Sequence, residues 1–316
     1  MLDIYNELVR LVSHKNIERN KSLKNHTYTR LGGNADYFVT PETYEHVRQI
    51  VKFVHEHNVP FTLLGNGSNL IIRDGGIRGI VMYLGSLTNI QVTDTTLVAQ
   101  SGALIADVSK AALKAHLTGL EFACGIPGSV GGALFMNAGA YGGEIKDVLE
   151  SALVVDRFGE IKRIAAEDLA LSYRTSNIPD NRYVVLEATF QLEEGDYDAI
   201  KAVMDDLTNK RESKQPLEYP TCGSVFKRPP GHFAGKLIQD SGLQGVQIGG
   251  AQVSLKHAGF IVNKGNATAN DYIALIEHVQ KVVEEKFGVK LEREVRIIGE
   301  DVEHSEKEEA FCKERS

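Results

Sequence analysis

The chain has 316 residues and a mass of 34.7 kDa, room for about two domains at ~150 residues each. At this size folding buries roughly three quarters of the surface that the unfolded chain exposes, so the core needs no disulfide or metal. Forty-two acids against thirty-five bases give −7, and a pI near 5.8 excludes a general nucleic-acid binder driven by counterion release.

Leu2, Tyr5, Leu8, Val9 and Val12 recur at helical spacing and predict an opening amphipathic helix. Thr40-Pro41-Glu42 reads as an N-cap followed by proline at the first helical position, with Val47, Ile50, Val51 and Val54 on one face. Short β-prone runs separated by glycine then predict strands at 61–64, 70–73, 77–84, 89–93 and 97–100. A helix is predicted over 104–117, followed by eight glycines between Gly119 and Gly143. Strands are predicted at 149–156, 161–164 and 184–192, and a polar helix over 197–213. Beyond it come strands near 221–228, 251–254 and 259–263, helices at 234–240 and 269–287, and a last strand over 289–298. The mixture is α+β, in two domains joined near residue 195. From Glu300 onward seven acids meet three bases with little to bury, so 301–316 reads as an acidic, disordered tail.

Three cysteines, Cys124, Cys222 and Cys312, are an odd number with no C-x-x-C pair, which suggests neither a disulfide framework nor a zinc site. His55 and His57, two apart on a helix, face different ways and make no metal site. The first residues carry acids where a signal peptide needs a basic start, and no apolar run nears the ~18–20 residues that cross a bilayer. A soluble cytoplasmic protein is expected, with no membrane or nucleic-acid partner. Its oligomeric state is open, a monomer included.

Function has to come from the glycine segments. Gly65-Asn66-Gly67-Ser68-Asn69 lacks the third glycine of a dinucleotide fingerprint and precedes a strand rather than a helix, which argues against a Rossmann turn. Gly125-Ile126-Pro127-Gly128-Ser129-Val130-Gly131-Gly132 has no lysine where a P-loop needs one. Without a β-carbon, backbone can still approach a pyrophosphate closely, and successive N–H groups form an anion nest. Two such loops about sixty residues apart suit the two phosphates of one dinucleotide cofactor, with Ser68, Asn69, Ser129 and Asn137 as side-chain donors. The bland alternative is a pair of tight turns.

These loops, with Met136-Asn137-Ala138-Gly139-Ala140-Tyr141 after the second, resemble the flavin loops of the UDP-N-acetylenolpyruvoylglucosamine reductase (MurB) family. Thr29-Arg30-Leu31-Gly32-Gly33, Tyr173-Arg174-Thr175-Ser176, Cys222-Gly223-Ser224-Val225, Ala234-Gly235-Lys236 and Leu291-Glu292-Arg293-Glu294-Val295-Arg296 continue the match in order, from about Thr27 to Gly299. The resemblance implies a vanillyl-alcohol-oxidase (PCMH)-type FAD-binding domain over 1–195, in two α+β subdomains of about 1–85 and 86–195. A C-terminal α/β substrate-binding domain over 196–300 follows. It implies non-covalent FAD, NADPH as hydride donor, and reduction of an enolpyruvyl ether on a UDP-sugar to UDP-N-acetylmuramate, a peptidoglycan precursor. Two rival readings are another FAD oxidase of this fold acting on an alcohol or hydroxy acid, and a flavin- or nucleotide-sugar-binding sensor without turnover.

By the same resemblance Gly65, Asn66, Gly67, Ser68, Asn69, Gly125, Ile126, Pro127, Gly128, Ser129, Gly131, Gly132, Asn137, Gly139 and Arg296 hold FAD. Ser224 is the proton donor, Arg174 clamps the substrate carboxylate and Glu294 organises the acid end. Arginine suits a planar carboxylate better than lysine does. Each has a plainer alternative: Arg174 as a surface cation, Ser224 as a turn hydroxyl, and Glu292 and Glu294 as strand neighbours pairing with Arg296 across one face. Lys214, Lys227 and Lys236 are candidates for the UDP phosphates. The chain resembles the short form of the family, without the insert that carries a substrate-covering tyrosine. Leu255 stands where an acid is expected, which would remove one contact on the uridine side.

Overall fold

The computed structural model describes residues 3–302; Leu2 of the opening helix, Cys312 and the tail from 303 lie outside the described residues. The first helix, α1 (Ile4–Val12), is capped by the Asp3 carboxylate, which accepts from Asn6 N–H. The next helix, α2 (Tyr44–Glu56), starts three residues later than Pro41 suggested, because the Thr43 hydroxyl caps it by accepting from His46 N–H at 3.1 Å. These helices pack on a four-stranded sheet in the order Ile17–Ser22, Asn34–Val39, Ile77–Tyr83, Phe61–Leu64. Its first two strands were not predicted. Ile17–Ser22 is polar along nearly its whole length, so it shows no apolar alternation to read.

A five-stranded antiparallel sheet follows, ordered Ile161–Ala165, Leu149–Val155, Val184–Gln191, Thr96–Gln100, Ile90–Thr93. Two helices, α3 (Ile105–Lys114) and α4 (Val130–Met136), supply its core residues Ile105, Val108, Val130 and Leu134. The seven-residue α4 was hidden by its glycines. The long polar helix α5 (Tyr197–Lys214), expected with the C-terminal domain, instead packs against α3 and the Glu121–Ala123 turn.

The C-terminal unit is an antiparallel sheet of Thr221–Ser224, Phe260–Asn263, Ala251–Val253 and Gln247–Ile248, covered by α6 (Ala234–Asp240) and α7 (Ala269–Phe287). A capping box between Thr268 and Asp271 starts α7, and Gly288 ends it in the left-handed region. The last strand is only Arg296–Ile298, and it pairs in parallel with Leu70–Ile72 of the N-terminal part. Glu292 and Glu294 therefore lie before that strand, not on one ladder face as predicted. Glu300 and Asp301, expected at the edge of a disordered tail, are held: Gly75 N–H donates to Glu300 O, and Arg73 pairs with Asp301.

Candidate active site at the glycine loops

The two glycine loops meet. Asn66 Nδ2 donates to Pro127 O at 2.7 Å and to the Tyr28 hydroxyl at 3.1 Å, bridging one loop to the other. A β-carbon on Gly65 would lie 3.0 Å from Ser129 Oγ, and one on Gly128 would lie 3.9 Å from Ser68 Oγ. Gly67 has a φ of +65°, and a β-carbon there would fall 2.0 Å from the His26 carbonyl oxygen. Only glycine fits there.

The backbone donors of the two loops differ. None of the five N–H groups from Gly65 to Asn69 donates to a protein acceptor among the described residues, which leaves a run of donors for an anion. Val130 and Gly131 N–H already donate to Ala103 O and Ser101 O, and Gly132 N–H donates to Ser129 Oγ. Ile126 N–H is likewise engaged, by Ala123 O. The second loop still keeps three donors without a protein acceptor among the described residues, the N–H groups of Gly125, Gly128 and Ser129, and Gly125 leaves room for the Arg211 stem, 2.7 Å from where a β-carbon would stand.

A cavity of about 620 Å³ opens beside the loops, lined by Gly65, Asn66, Ser68, Gly125 and Pro127. Its other walls are His26, Tyr28, Arg30 and Tyr83 on one side, and Arg211, Gln215, Gly223 and Phe260 on the other. Arg211 forms no ion pair among the described residues, and burial pulls its pKa below the usual arginine value. Residue spacing did not single it out; its signal was the stretch Arg211-Glu212-Ser213-Lys214, which puts both cations on one helix face. Of the three expected phosphate lysines, none lines this cavity. Lys236 pairs with Asp240 on α6, Lys227 pairs with Glu292, and Lys214 is exposed at the end of α5. Leu255 is 71% exposed and also stands outside the cavity wall.

Arg174 and Glu294, 120 residues apart, are joined by a 2.9 Å bond from Arg174 Nε to Glu294 Oε1. Arg174 Nη2 also donates to Gly139 O at 2.9 Å. Arg174 sits in a tight turn between Ser172 and Thr175 with a φ of +56°, a strained conformation for a non-glycine residue. Burial pushes the Glu294 carboxyl above its ordinary value of 4.5, with Arg174 and then Lys227 opposing. Glu294 N–H donates to Val225 O at 2.8 Å, which fastens it beside Ser224. A register shift between Thr221 and Ser224, with Gly223 at φ +78°, turns the strand there. The Ser224 side chain is exposed and makes no hydrogen bond among the described residues.

Asn69 links these residues to the first glycine loop. Its Nδ2 donates to Glu294 O at 3.2 Å, and its carbonyl accepts from Arg296 N–H. The Arg296 guanidinium lies 4.7 Å from the Phe135 ring centre, against the end of α4. Asn137 is fully buried with its amide engaged inside the protein, and Gly139 serves Arg174 through its carbonyl. Among the described residues no cluster of His, Cys, Asp and Glu could hold a metal. Among the described residues no helix is long and apolar enough to cross a membrane.

Residues 215–298 match the C-terminal domain of UDP-N-acetylenolpyruvoylglucosamine reductase, and residues 35–165 match an FAD binding domain. The chain is 66% identical to the UDP-N-acetylenolpyruvoylglucosamine reductase of Oceanobacillus iheyensis, over 94% of this chain and 97% of that one. It is 63% identical to the enzyme of that name from Geobacillus kaustophilus, over 94% and 98%. The crystal structure of the Thermus caldophilus enzyme superposes with a TM-score of 0.77 at 35% identity, covering 89% of this chain and 98% of that one. A Phl p 4 variant described as a glucose oxidase matches at a TM-score of 0.50 and 16% identity, over 72% of this chain and 53% of that one, a likeness of fold alone. The flavin part has the vanillyl-alcohol-oxidase-type architecture, and the chain belongs to the UDP-N-acetylenolpyruvoylglucosamine reductase family.

Proposed function

We propose that this chain is a UDP-N-acetylmuramate dehydrogenase, reducing the enolpyruvyl ether of UDP-N-acetylglucosamine enolpyruvate in peptidoglycan precursor synthesis. The residues fit an FAD: a run of unpaired N–H groups from Gly65 to Asn69, a second loop braced against it, and a cavity alongside. When bound, FAD supplies to the substrate a hydride received from NADPH. Gly65 to Asn69 would hold its phosphates, with Pro127, Gly128 and Ser129 closing the other side.

The observation that carries the reading is the partly buried Arg174–Glu294 pair, tied through Val225 to the strand that presents Ser224. Once the vinyl carbon of the substrate is reduced, negative charge falls on the adjacent carbon and its carboxylate. Arg174, oriented by Glu294 and Gly139 O, keeps N–H groups free to hold that carboxylate. Ser224 gives its proton to the carbon. A hydroxyl is a weak acid, so it acts only on a base as strong as the carbanion or enolate formed there. Arg211 is the cation best placed for a phosphate of the UDP group, ahead of Lys214, Lys227 and Lys236.

Anaerobic stopped-flow absorbance separates the two half-reactions. Ser224→Ala should keep one FAD per chain and bleach with NADPH at the parent rate, while reoxidation by the UDP-enolpyruvyl sugar becomes very slow. Ser224→Cys should recover part of that rate, since a thiol is a stronger acid. An alanine variant that reoxidises as fast as the parent would make Ser224 a turn residue.

A further inference from the structure

Asn137 was expected to touch FAD, but its surroundings assign it other work. It caps α4 with a left-handed backbone, φ 42° and ψ 59°, and has no exposed surface. Its Nδ2 donates to Glu144 Oε2 at 2.8 Å and to Ser172 O at 3.1 Å, and its Oδ1 accepts from Lys146 N–H at 2.9 Å. Both amide donors are thereby engaged, and none is left for a ligand.

Ser172 opens the turn that carries Arg174. Ser172 and Thr175 exchange backbone hydrogen bonds of 3.1 Å, and Arg174 between them is held at a positive φ. Three bonds fasten this turn to the segment after the second glycine loop. They are Asn137 Nδ2 to Ser172 O, Ser176 Oγ to Phe135 O at 2.8 Å, and Arg174 Nη2 to Gly139 O. A strained turn keeps its conformation only while its surroundings over-determine it. Without the Asn137 bond the Ser172 carbonyl keeps only its bond from Thr175 N–H, the turn loses one of its three ties, and a relaxed Arg174 would carry its guanidinium away from Glu294.

We propose that Asn137 is a positioning residue for Arg174: it sets the guanidinium at the substrate carboxylate from the end of the helix that the second glycine loop begins. The inference rests on Arg174 acting on the substrate as described above. Asn137→Gly tests it, because glycine suits the left-handed cap and deletes only the amide. The variant should retain its FAD and its bleaching rate with NADPH, and reoxidise with substrate about ten- to a hundredfold more slowly. The slowing should vanish in an Arg174→Ala background, where Asn137→Gly should change the rate less than about twofold, because coupled residues do not add.

Asn137→Asp keeps the size and the bond from Lys146 while setting a carboxylate against the Ser172 carbonyl; it replaces the glycine variant if that one fails to fold. Parent-like reoxidation in both, or slowing that persists undiminished without Arg174, overturns the proposal. Loss of FAD or of the folded state in both variants also overturns it, since Asn137 would then serve the fold. If Arg174→Ala alone reoxidises at the parent rate, the reading of Arg174 fails and takes this inference with it. If Arg174→Ala is slow and the Asn137 variants are not, the inference fails alone.

Discussion

Arg174 and Glu294 are each other's environment, joined by the bond from Arg174 Nε to Glu294 Oε1. Arg174→Lys keeps the charge but loses both the Nε bond to Glu294 and the Nη2 bond to Gly139 O. Turnover should fall by about 10²-fold or more, as on removal of one donor to a developing anion, with flavin content unchanged. Near-normal turnover would return Arg174 to the role of a surface cation. For Glu294 the native carboxyl binds its proton more tightly than an ordinary one at 4.5, because burial outweighs the attraction of Arg174. The native state then holds more protons than the unfolded one just above pH 4.5, so stability falls as pH rises through the raised value. Glu294→Gln removes that titration. The melting temperature of the variant relative to the parent should therefore climb with pH from the ordinary carboxylate range upward and then level off. A difference that stays flat, or moves the other way, would mean that Arg174 and not burial dominates.

The glycine loops show what a residue pattern can and cannot reveal about an element. Gly67 and Gly231 both sit at positive φ, +65° and +73°, but a β-carbon at Gly67 would meet the His26 carbonyl at 2.0 Å while one at Gly231 meets nothing within 4 Å. Gly231→Ala should cost about 1 kcal/mol, the left-handed penalty alone. Gly67→Ala should cost several times as much and abolish FAD uptake, measured by urea melts and by the flavin spectrum. Equal losses in the two would show that the loop yields at little cost. Both loops stood out in the sequence because glycine and proline mark turns directly. Their division of labour did not, because whether an N–H is free depends on distant carbonyls such as Ser101 O and Ala103 O. The same limit explains Asn137, read as a cofactor donor from its neighbours although its partner Ser172 lies 35 residues away. The sequence offers both Arg211 and Lys214 as cations on one helix face, and which of them is buried depends on packing that the spacing does not show. The capped, amphipathic α7 and the short α6 with its buried Leu237 and Ile238 emerged at the bounds the pattern suggested, whereas Ile17–Ser22 and the glycine-rich, seven-residue α4 carry no period to detect.

Taken whole, the molecule assembles its site from three parts of the chain, and its packing makes those parts stand or fall together. Gly65–Asn69 comes from the first unit, the Ser172–Thr175 turn from the second, and Ser224 and Glu294 from the third. The first and third are interlocked. Leu31 and Ile71 belong to the N-terminal third by sequence, yet both are buried in the cluster with Leu237, Ile261 and Leu291. Arg296–Ile298 pairs with Leu70–Ile72, Asn263 Nδ2 donates to Thr29 O, and Ala269 N–H donates to the Asp74 carboxylate. The C-terminal unit cannot unfold without exposing Ile71 and stripping its strand of a partner, so urea should unfold both in one transition. Ile71→Ala removes side-chain atoms that are fully buried at this junction. It should lower the unfolding free energy by about 2–5 kcal/mol, with near-ultraviolet ellipticity and flavin release shifting to the same lower midpoint. Two separated transitions in the variant, with flavin lost in only one, would show that the units are joined loosely and that the geometry of Glu294 relative to Asn69 is set by the bound cofactor, not by the fold.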